Sequence, residues 1–188
     1  MKPFATCRAT LHKIAMQNHF TADQHFGHQA IIEMCKRPFT SVEEMDEAMI
    51  ANWNAVVAKN DNVWLVGDFA YRIELKRKRA FFSRLNGSKH LVPGNHDNPD
   101  TLSLPWASVG QIRQIVVDGQ KLVLCHYALR TWPASRRGAI HLYGHSHGTL
   151  PGNSQSTDVG VDCWSYRPVT LVEIKEVLER NPPTGMVP

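Results

Sequence analysis

The sequence has no long apolar run, no closely spaced cysteine pair and no segment dominated by glycine, proline or serine. Because no apolar run approaches the roughly 18 residues that span a bilayer, the sequence predicts no membrane-spanning helix. The four cysteines have neither the spacing of a disulfide framework nor a CxxC motif, which favours a reducing compartment, the cytoplasm. No internal repeat or low-complexity tract divides the chain.

A chain of 188 residues, 43% hydrophobic and 20% charged, is typical of one globular domain with a core of ordinary size. Residues 1–15 contain Lys2, Arg8 and Lys13 but no acidic residue. They lack the apolar core of a secretory signal, and their basic composition is weakly typical of an organelle presequence. Because the first convincing strand begins just after Met16, we expect a dispensable extension over 1–15 and a single domain over 16–188.

Basic residues concentrate between positions 72 and 89, although the net charge of the chain is only +4. This stretch contains one acidic residue, Glu74, and seven basic residues: Arg72, Lys76, Arg77, Lys78, Arg79, Arg84 and Lys89. The pattern is typical of an amphipathic helix whose solvated face is basic and whose apolar face packs on the core. A polyanion such as nucleic acid is the alternative partner for the same surface.

Strands and helices alternate in the first half of the chain, and short strands dominate the second half. The hydrophobic patterns predict strands at 18–22, 62–66, 89–94, 111–117, 121–126, 139–144 and 157–162, with a mobile loop at 151–157. They predict helices at 29–36, 41–57 and 170–180, and a basic helix that ends near Asn86 and Gly87. Asp118 and Gly119 mark a hairpin between two of the strands. This order predicts an α/β (α+β-like) fold, in which a mixed sheet or two stacked mixed β-sheets are covered by helices.

Aspartate, asparagine and histidine residues follow five of the predicted strands at the point where each strand ends. They are Asp23 and His25, then Asp68, then Asn95 with His96 and Asp97, then His126, and finally His145 with His147. Because sites in open α/β sheets form beyond the carboxyl ends of strands, we expect these side chains to converge. Oxygen and imidazole donors without thiolate disfavour a closed structural zinc site. Even seven ligands from this set are too many for one tetrahedral ion, but they suit two ions that share a carboxylate.

The string DQH…GD…GNHD…H…GHSH resembles the calcineurin-like metallophosphoesterases. The flanking segments HFTADQHFGHQAII, VWLVGDFA and HLYGHSHG resemble in particular a small bacterial and phage branch of that superfamily. The resemblance covers roughly residues 18–172 and includes all five motif blocks. It implies a metallophosphoesterase four-layer sandwich, in which two stacked mixed β-sheets are flanked by helices.

The resemblance also implies a role for each strand-end ligand. The first metal ion would be held by Asp23, His25 and His147. The second would be held by Asn95, His126 and His145, and Asp68 would bridge the two ions. The implied cofactor is a pair of divalent metal ions, with manganese the expected metal and iron, zinc, nickel, cobalt or magnesium as alternatives.

The implied activity is hydrolysis of a phosphate mono- or diester, and the expected substrate is a small phosphate ester or nucleotide, above all a nucleotide-type phosphodiester. A hydroxide that bridges the two metal ions would attack phosphorus while the ions neutralise charge on the phosphate. His96 would stabilise or protonate the departing oxygen, and Asp97 would orient or charge His96.

Three further residues are candidate substrate contacts. His28 either reaches the phosphate or only begins the following helix. Arg37 and Arg130 are candidates because a guanidinium binds phosphate through two hydrogen bonds, although each is also compatible with a surface or structural role. Asp162 is a candidate for orienting a ligating histidine.

Two alternative functions stay open from the sequence. A nuclease or nucleic-acid end-processing phosphoesterase would use the basic residues 72–89, and its activity would fall steeply with salt. Trp132 and Trp164 could then stack on bases, although core packing is the favoured interpretation. A non-catalytic scaffold with the same fold is the second alternative, and it is disfavoured because His96 and all the candidate ligands are present.

Overall fold

The computed structural model describes residues 16–184, and in this part of the chain nine strands and five α-helices form two mixed β-sheets with helices packed on them. The predicted extension over 1–15 lies outside the described residues. The strands are β1 (Asn18–Thr21), β2 (Asn62–Leu65), β3 (Ser88–Leu91), β4 (Ser108–Val109), β5 (Arg113–Val117), β6 (Gln120–Leu124), β7 (Ile140–Tyr143), β8 (Ser156–Asp158) and β9 (Val169–Thr170). The helices are α1 (Gln29–Met34), α2 (Val42–Val56), α3 (Leu75–Arg84), α4 (Pro99–Leu102) and α5 (Leu171–Arg180), and short 3-10 helices cover Ser135–Arg137 and Val161–Cys163. No helix within 16–184 is both long and apolar enough to cross a membrane.

The first sheet has the strand order β4-β3-β2-β1-β9. Strands β1 to β4 are parallel, and β9 runs antiparallel to β1. Helices α1 and α2 connect β1 to β2, and α3 connects β2 to β3. Since parallel strands joined by helical crossovers all end at the same side, the loops after β1, β2 and β3 lie along one edge of this sheet.

The second sheet has the strand order β5-β6-β7-β8, with an antiparallel hairpin followed by parallel pairs. The hairpin turn is made by Asp118 and Gly119, whose φ angles are 48° and 78°. Two consecutive positive φ angles are required by a type I′ turn, whose twist matches that of the flanking strands. The predicted hairpin is confirmed.

A hydrophobic core between the sheets holds them face to face. Phe20 and Val66 from the first sheet belong to the same buried cluster as Leu124 and Leu142 from the second. Ile174 of α5 completes this cluster. A second cluster packs α2 and α3 on the opposite face of the first sheet. The predicted fold of two stacked mixed sheets flanked by helices is therefore confirmed.

The segment from 151 to 162 differs from its predicted structure. Part of the expected loop forms β8, and a 3-10 helix occupies 161–163, where the sequence pattern predicts a strand. The chain bends here because Asp158 Oδ1 accepts a hydrogen bond from the backbone N–H of Gly160 at 2.6 Å. Gly160 then forms a parallel bridge with Ala22, so the chain passes from the second sheet to the first.

The basic stretch at 72–89 is only partly a solvated surface. Lys78 is fully buried in α3, where its Nζ donates to Asn98 Oδ1 at 2.6 Å and to Thr101 Oγ1 at 3.0 Å. Lys89 is also buried, and its Nζ donates to two backbone carbonyl groups after α3. The expectation of a solvated face is therefore wrong for these two lysines, because buried ammonium groups need hydrogen-bond acceptors. The other five basic residues of the stretch are exposed.

Candidate metal centre

Strand ends from both sheets meet at one edge of the sandwich and carry the polar residues singled out in the sequence. The first sheet contributes the loops after β1, β2 and β3, and the second sheet contributes those after β6 and β7. The loops are tied to one another directly. The backbone N–H of Asp23 donates to the carbonyl oxygen of Gly67 at 3.0 Å, and the backbone N–H of His145 donates to Asp23 Oδ2 at 2.9 Å.

Two groups of side chains at this edge bring together donor atoms that could hold a cation. The donor atoms of the first group lie within 4.8 Å of one another and come from Asp23, His25 and His147. Those of the second group, at the same separation, come from Asp68, His126 and His145. Asn95 belongs with the second group, because its Oδ1 is 3.0 Å from His126 Nε2 and 3.0 Å from His145 Nδ1.

Asp68, a member of the second group, also reaches the first. Its Oδ2 is 3.4 Å from His126 Nε2 in the second group and 3.6 Å from His25 Nε2 in the first. Its other oxygen, Oδ1, accepts a hydrogen bond from the backbone N–H of His96 at 2.9 Å. One carboxylate is thus in reach of both groups of donors, which is the position that a bridging ligand would need.

Two buried atoms of the first group have no hydrogen-bond partner among the described residues, namely Asp23 Oδ1 and His25 Nε2. Buried polar atoms in proteins are almost always hydrogen-bonded, so an unpaired carboxylate oxygen beside an unpaired imidazole nitrogen needs a reason. A divalent cation would satisfy both, since a carboxylate oxygen and a neutral imidazole nitrogen are ordinary ligands of such ions. The residues present therefore fit a metal ion.

The pKa values in the cluster reflect burial first and charge pairing second. Burial raises the pKa of Asp23 to about 7 and lowers the pKa of His25 to about 2. Burial also lowers the pKa of His126, but hydrogen bonding and charge pairing with Asp68 outweigh it and raise the pKa to about 9. A cation at this position would favour the ionised carboxylates and the neutral imidazoles, which are the ligand forms.

Five of the candidate ligands have left-handed backbone conformations. They are Asp23 (φ 60°), His25 (φ 52°), Asp68 (φ 59°), His145 (φ 67°) and His147 (φ 46°). A positive φ is uncommon in residues other than glycine, and such strain concentrates at active sites and ligand clamps. The conformation turns the chain after β1, β2 and β7, where these five residues lie.

Glycines beside the ligands are required by close approach as well as by conformation. A Cβ atom on Gly67 would overlap the ring of His126, and one on Gly94 would overlap the carboxylate of Asp68. Gly67 also has a φ of 94°, which side-chain-bearing residues rarely adopt. The glycines of the GD and GNHD blocks therefore allow the ligands to pack against the backbone.

Arg37 is a buried residue of the protein interior. The side chain is fully buried, and its Nε and Nη2 donate to the two carboxylate oxygens of Asp162, each at 2.8 Å. Nη2 also donates to the backbone carbonyl of Asp23 at 2.8 Å. Because the guanidinium is occupied inside the protein, the structural interpretation of Arg37 is favoured over a phosphate contact.

Asp162 connects this arginine to the metal centre. Its Oδ2 lies 2.7 Å from Nδ1 of His147, so it fixes the orientation of that ring and leaves Nε2 available to a cation. Cys35 lies near the same pair and forms a third possible group with His147 and Asp162. The positive charge of Arg37, already paired with Asp162, disfavours a cation at that third position.

Asp97 joins two loops of the candidate site through its carboxylate. Its carboxylate accepts hydrogen bonds from the backbone N–H groups of Asp68 at 2.8 Å, Phe69 at 3.0 Å and Gly94 at 2.9 Å. These bonds clamp the loop after β2 to the loop after β3. The clamp fixes the backbone on which His96 lies, so any orientation of His96 by Asp97 acts through the backbone.

His96 and His28 lie beside His25 on the first-group side of the centre. The ring centroid of His96 is 5.3 Å from that of His25, and His28 Nδ1 is 3.4 Å from His25 Nδ1. His28 is also the N-cap residue of α1, directly before Gln29, so a place at the start of this helix is compatible with a contact to phosphate. Burial lowers the pKa of His28 to about 4. Tyr71 stacks on His28 at 3.8 Å and contacts the ring of His96 at 4.9 Å.

Two aromatic residues near the centre are absent from the sequence predictions, Tyr71 and Tyr127. Tyr127 lies on the other side, with its ring centroid 4.8 Å from that of His145 and 5.1 Å from that of His126. Its position directly after His126 in the chain is the signal that could have identified it. Tyr71 is the third residue after the GD block and gives no comparable signal.

The other candidate substrate contacts are one exposed arginine and two tryptophans. Arg130 is exposed on the loop after β6. Trp132 is buried, and its Nε1 donates to the carbonyl oxygen of Ala139 at 2.8 Å. Trp164 donates in the same way to the carbonyl oxygen of Asp158 at 2.8 Å. Both tryptophans are thus used in packing, as the favoured interpretation expects.

The chain is similar to two other proteins over most of its length. MJ1445, an uncharacterized protein of Methanocaldococcus jannaschii, is 31% identical over an alignment of 171 residues, which covers 87% of this chain and 92% of that protein. The gene 66 protein of Mycobacterium phage L5 is 35% identical over an alignment of 193 residues, which covers 85% of this chain and 92% of that protein. No protein-family model matches the chain.

Solved structures include one with the same fold. AQ665, a protein of unknown function from Aquifex aeolicus, has a TM-score of 0.68 and 20% identity, over 86% of this chain and 99% of that one. YfcE, a phosphoesterase from E. coli, has a TM-score of 0.45 and 21% identity, over 77% of this chain and 78% of that one. The first similarity is one of fold alone, and the second is too distant to add to it.

Replacement of Arg37 tests its internal role. Arg37→Met should lower the free energy of unfolding by about 3–5 kcal/mol, because the buried carboxylate of Asp162 loses its guanidinium partner. Urea unfolding of metal-free protein measures this change. The matched control is Arg84→Met, which removes an exposed ion pair with Glu47 and should cost about 0–1 kcal/mol. Equal losses in the two variants would contradict the internal role.

Proposed function

This chain belongs to the protein family that includes MJ1445 of Methanocaldococcus jannaschii and the gene 66 protein of Mycobacterium phage L5, and we propose that it is a dinuclear metal-dependent phosphoesterase. The reaction is hydrolysis of a phosphate mono- or diester, with nucleotide-type phosphodiesters as the preferred class. The observation that carries the proposal is the pair of adjacent donor groups with the carboxylate of Asp68 between them.

The seven candidate ligands divide between two divalent ions. The first ion would be held by Asp23, His25 and His147, and the second by Asn95, His126 and His145. Asp68 would bind both, in keeping with the reach of its Oδ2 to each group. Carboxylate, amide and imidazole donors suit manganese, which is our proposed metal, and also iron, zinc, nickel, cobalt or magnesium. The unpaired buried atoms of Asp23 and His25 support a cation at the first position.

The chain's own residues supply positioning and proton transfer. When bound, two such ions lower the pKa of a water and neutralise charge on a phosphate. His96, partly exposed and next to His25, donates a proton to the oxygen that leaves with the product. Asp97 holds the backbone of the loops after β2 and β3, which keeps His96 at a constant distance from the ligands. His28 and the exposed Arg130 are proposed to contact the phosphate or its substituents.

The alternatives have less support than a small ester or nucleotide substrate. A polynucleotide substrate would draw on the basic stretch at 72–89, but Lys78 and Lys89 are buried and hydrogen-bonded within the protein. A non-catalytic scaffold would have no need to keep a complete set of donors with His96 beside them. We therefore keep the nuclease as an outcome of the activity test and give the scaffold no further weight.

A metal-reconstituted activity panel tests the proposed function. It compares p-nitrophenyl phosphate, bis-p-nitrophenyl phosphate, 2′,3′- and 3′,5′-cyclic nucleotides and single-stranded DNA, with manganese and after treatment with a chelator. Chelator-sensitive hydrolysis of one of the small esters supports the proposal. Activity confined to DNA, with a steep dependence on salt, would move the assignment to a nuclease. Hydrolysis of none of them would overturn it.

Replacement of the central carboxylate tests the paired site. Asp68→Asn should remove metal from both positions, because the amide has one oxygen and no charge to share between two cations. Elemental analysis after dialysis against manganese should give two ions per chain for the wild type and a loss of both in the variant. Asp118→Asn, an exposed carboxylate in the hairpin turn, is the control and should bind as the wild type does. Unchanged metal content in Asp68→Asn would contradict the bridging role.

Replacement of His96 tests the proton donor. His96→Ala should keep both metal ions yet lose turnover on a 2′,3′-cyclic nucleotide by about 10²–10⁴, the usual contribution of a general acid, because the leaving alkoxide of this substrate needs a proton. His90→Ala, at a partly buried histidine of β3 that stacks on Trp64, is the matched control and should retain activity. Loss of metal from His96→Ala would show that this residue is a ligand and that its proposed role is wrong.

A further inference from the structure

Tyr127 presents an exposed aromatic ring directly beside the second donor group. The residue is 48% exposed, although its ring contacts those of His145 and His126 at centroid distances of 4.8 Å and 5.1 Å. Both contacts are edge-on, with interplanar angles of 65° and 71°. A large aromatic surface left open to solvent at a candidate active site is suited to a planar group of a ligand.

The loop that carries Tyr127 is held by buried contacts. The backbone N–H of Leu129 donates to Nε2 of the fully buried His141 at 3.0 Å, and Nδ1 of His141 lies 3.0 Å from the carbonyl oxygen of Val123. This arrangement requires the proton of a neutral His141 to be on Nδ1. Trp132, on the outer face of the second sheet, packs against His141 with the ring centroids 5.3 Å apart. These contacts fix the conformation of the loop and thereby keep Tyr127 exposed.

The two tyrosines at the centre differ in what they leave available. Tyr71 is partly buried and stacks on His28 at an interplanar angle of 24°, so one face of its ring is taken. The guanidinium of Arg72 lies 5.0 Å from the same ring. Tyr127, by contrast, has no stacked ring partner among residues 16–184, since its contacts with the two imidazoles are T-shaped. Arg130, three positions further along the same loop, is also exposed.

We propose that Tyr127 is a stacking platform for the base of a nucleotide ester, and hence that nucleoside phosphodiesters are better substrates than alkyl phosphodiesters. The inference rests on the proposed function, because it takes the phosphate to lie at the two donor groups. One sugar joins the base of a nucleotide to its phosphate. A phosphate at the donor groups therefore places the base close enough to contact the ring of Tyr127, which lies against the imidazoles of the second group. Stacking on a tyrosine tolerates any base, so the preference is for a base and not for a particular one.

Two esters with the same leaving group compare a nucleoside ester with an alkyl ester. Thymidine 5′-(p-nitrophenyl phosphate) carries a sugar and a base, methyl p-nitrophenyl phosphate carries neither, and the Tyr127 variants assign the difference to the aromatic contact. The wild type should have the higher kcat/KM on the thymidine ester. Tyr127→Leu should reduce this preference about tenfold, as expected for the loss of one stacked base, and Tyr127→Phe should retain it because the ring remains. Val116→Ala, at an exposed apolar residue of β5, is the control and should keep the preference.

A binding measurement separates this inference from the proposed function. Calorimetric titration of manganese-loaded protein with thymidine 5′-monophosphate and with methyl phosphate should give tighter binding of the nucleotide, which Tyr127→Leu weakens about tenfold. Hydrolysis of neither ester, with this binding difference intact, would refute the phosphoesterase and leave the platform. Hydrolysis of both esters at equal kcat/KM, unchanged in Tyr127→Leu, would refute the platform and leave the phosphoesterase.

Discussion

The arrangement of the site depends on the position of one carboxylate, that of Asp68. One of its oxygens lies between His25 of the first donor group and His126 of the second, and the other accepts the backbone N–H of His96. A carboxylate can serve both groups only if the chain turns at once where β2 ends. Gly67 and the left-handed backbone of Asp68 make that turn, so the local conformation and the shared ligand are parts of one constraint.

Buried polar contacts behind the donor groups fix the loops on which the ligands lie. Asp97 joins the loops after β2 and β3 through three backbone N–H groups. Arg37 and Asp162 join the loop after β1 to His147, which comes from the second sheet. Because burying these charges costs desolvation free energy that their hydrogen bonds only offset, we attribute their value to geometry more than to stability. The inter-sheet hydrophobic core supplies the stability on which that geometry rests.

The strand ends and the residues that follow them could be predicted because periodicity, glycines and residue type are local signals. The role of Arg37 could not, since a single arginine does not reveal that its partner, Asp162, lies 125 positions away. Lys78 is a second such case. Its place among basic residues predicts an exposed side chain, but its hydrogen-bond acceptors belong to Asn98 and Thr101 at α4. The exposure of Tyr127 depends on a loop anchored by His141, which is a tertiary contact. Local patterns therefore predict which residues meet, and tertiary contacts decide what each can do.

Several departures from ordinary packing lie in the loops of the candidate site. Asp23 Oδ1 and His25 Nε2 are buried and unpaired, and burial moves the pKa of Asp23 up and that of His25 down. Each effect opposes folding, as does the left-handed backbone of both residues. A ligand that binds the folded state and satisfies both atoms would reverse the first two effects and stabilise the fold by mass action. Strain and unpaired atoms that lie where a cation could remove their cost are therefore better explained as preparation for binding than as defects of folding.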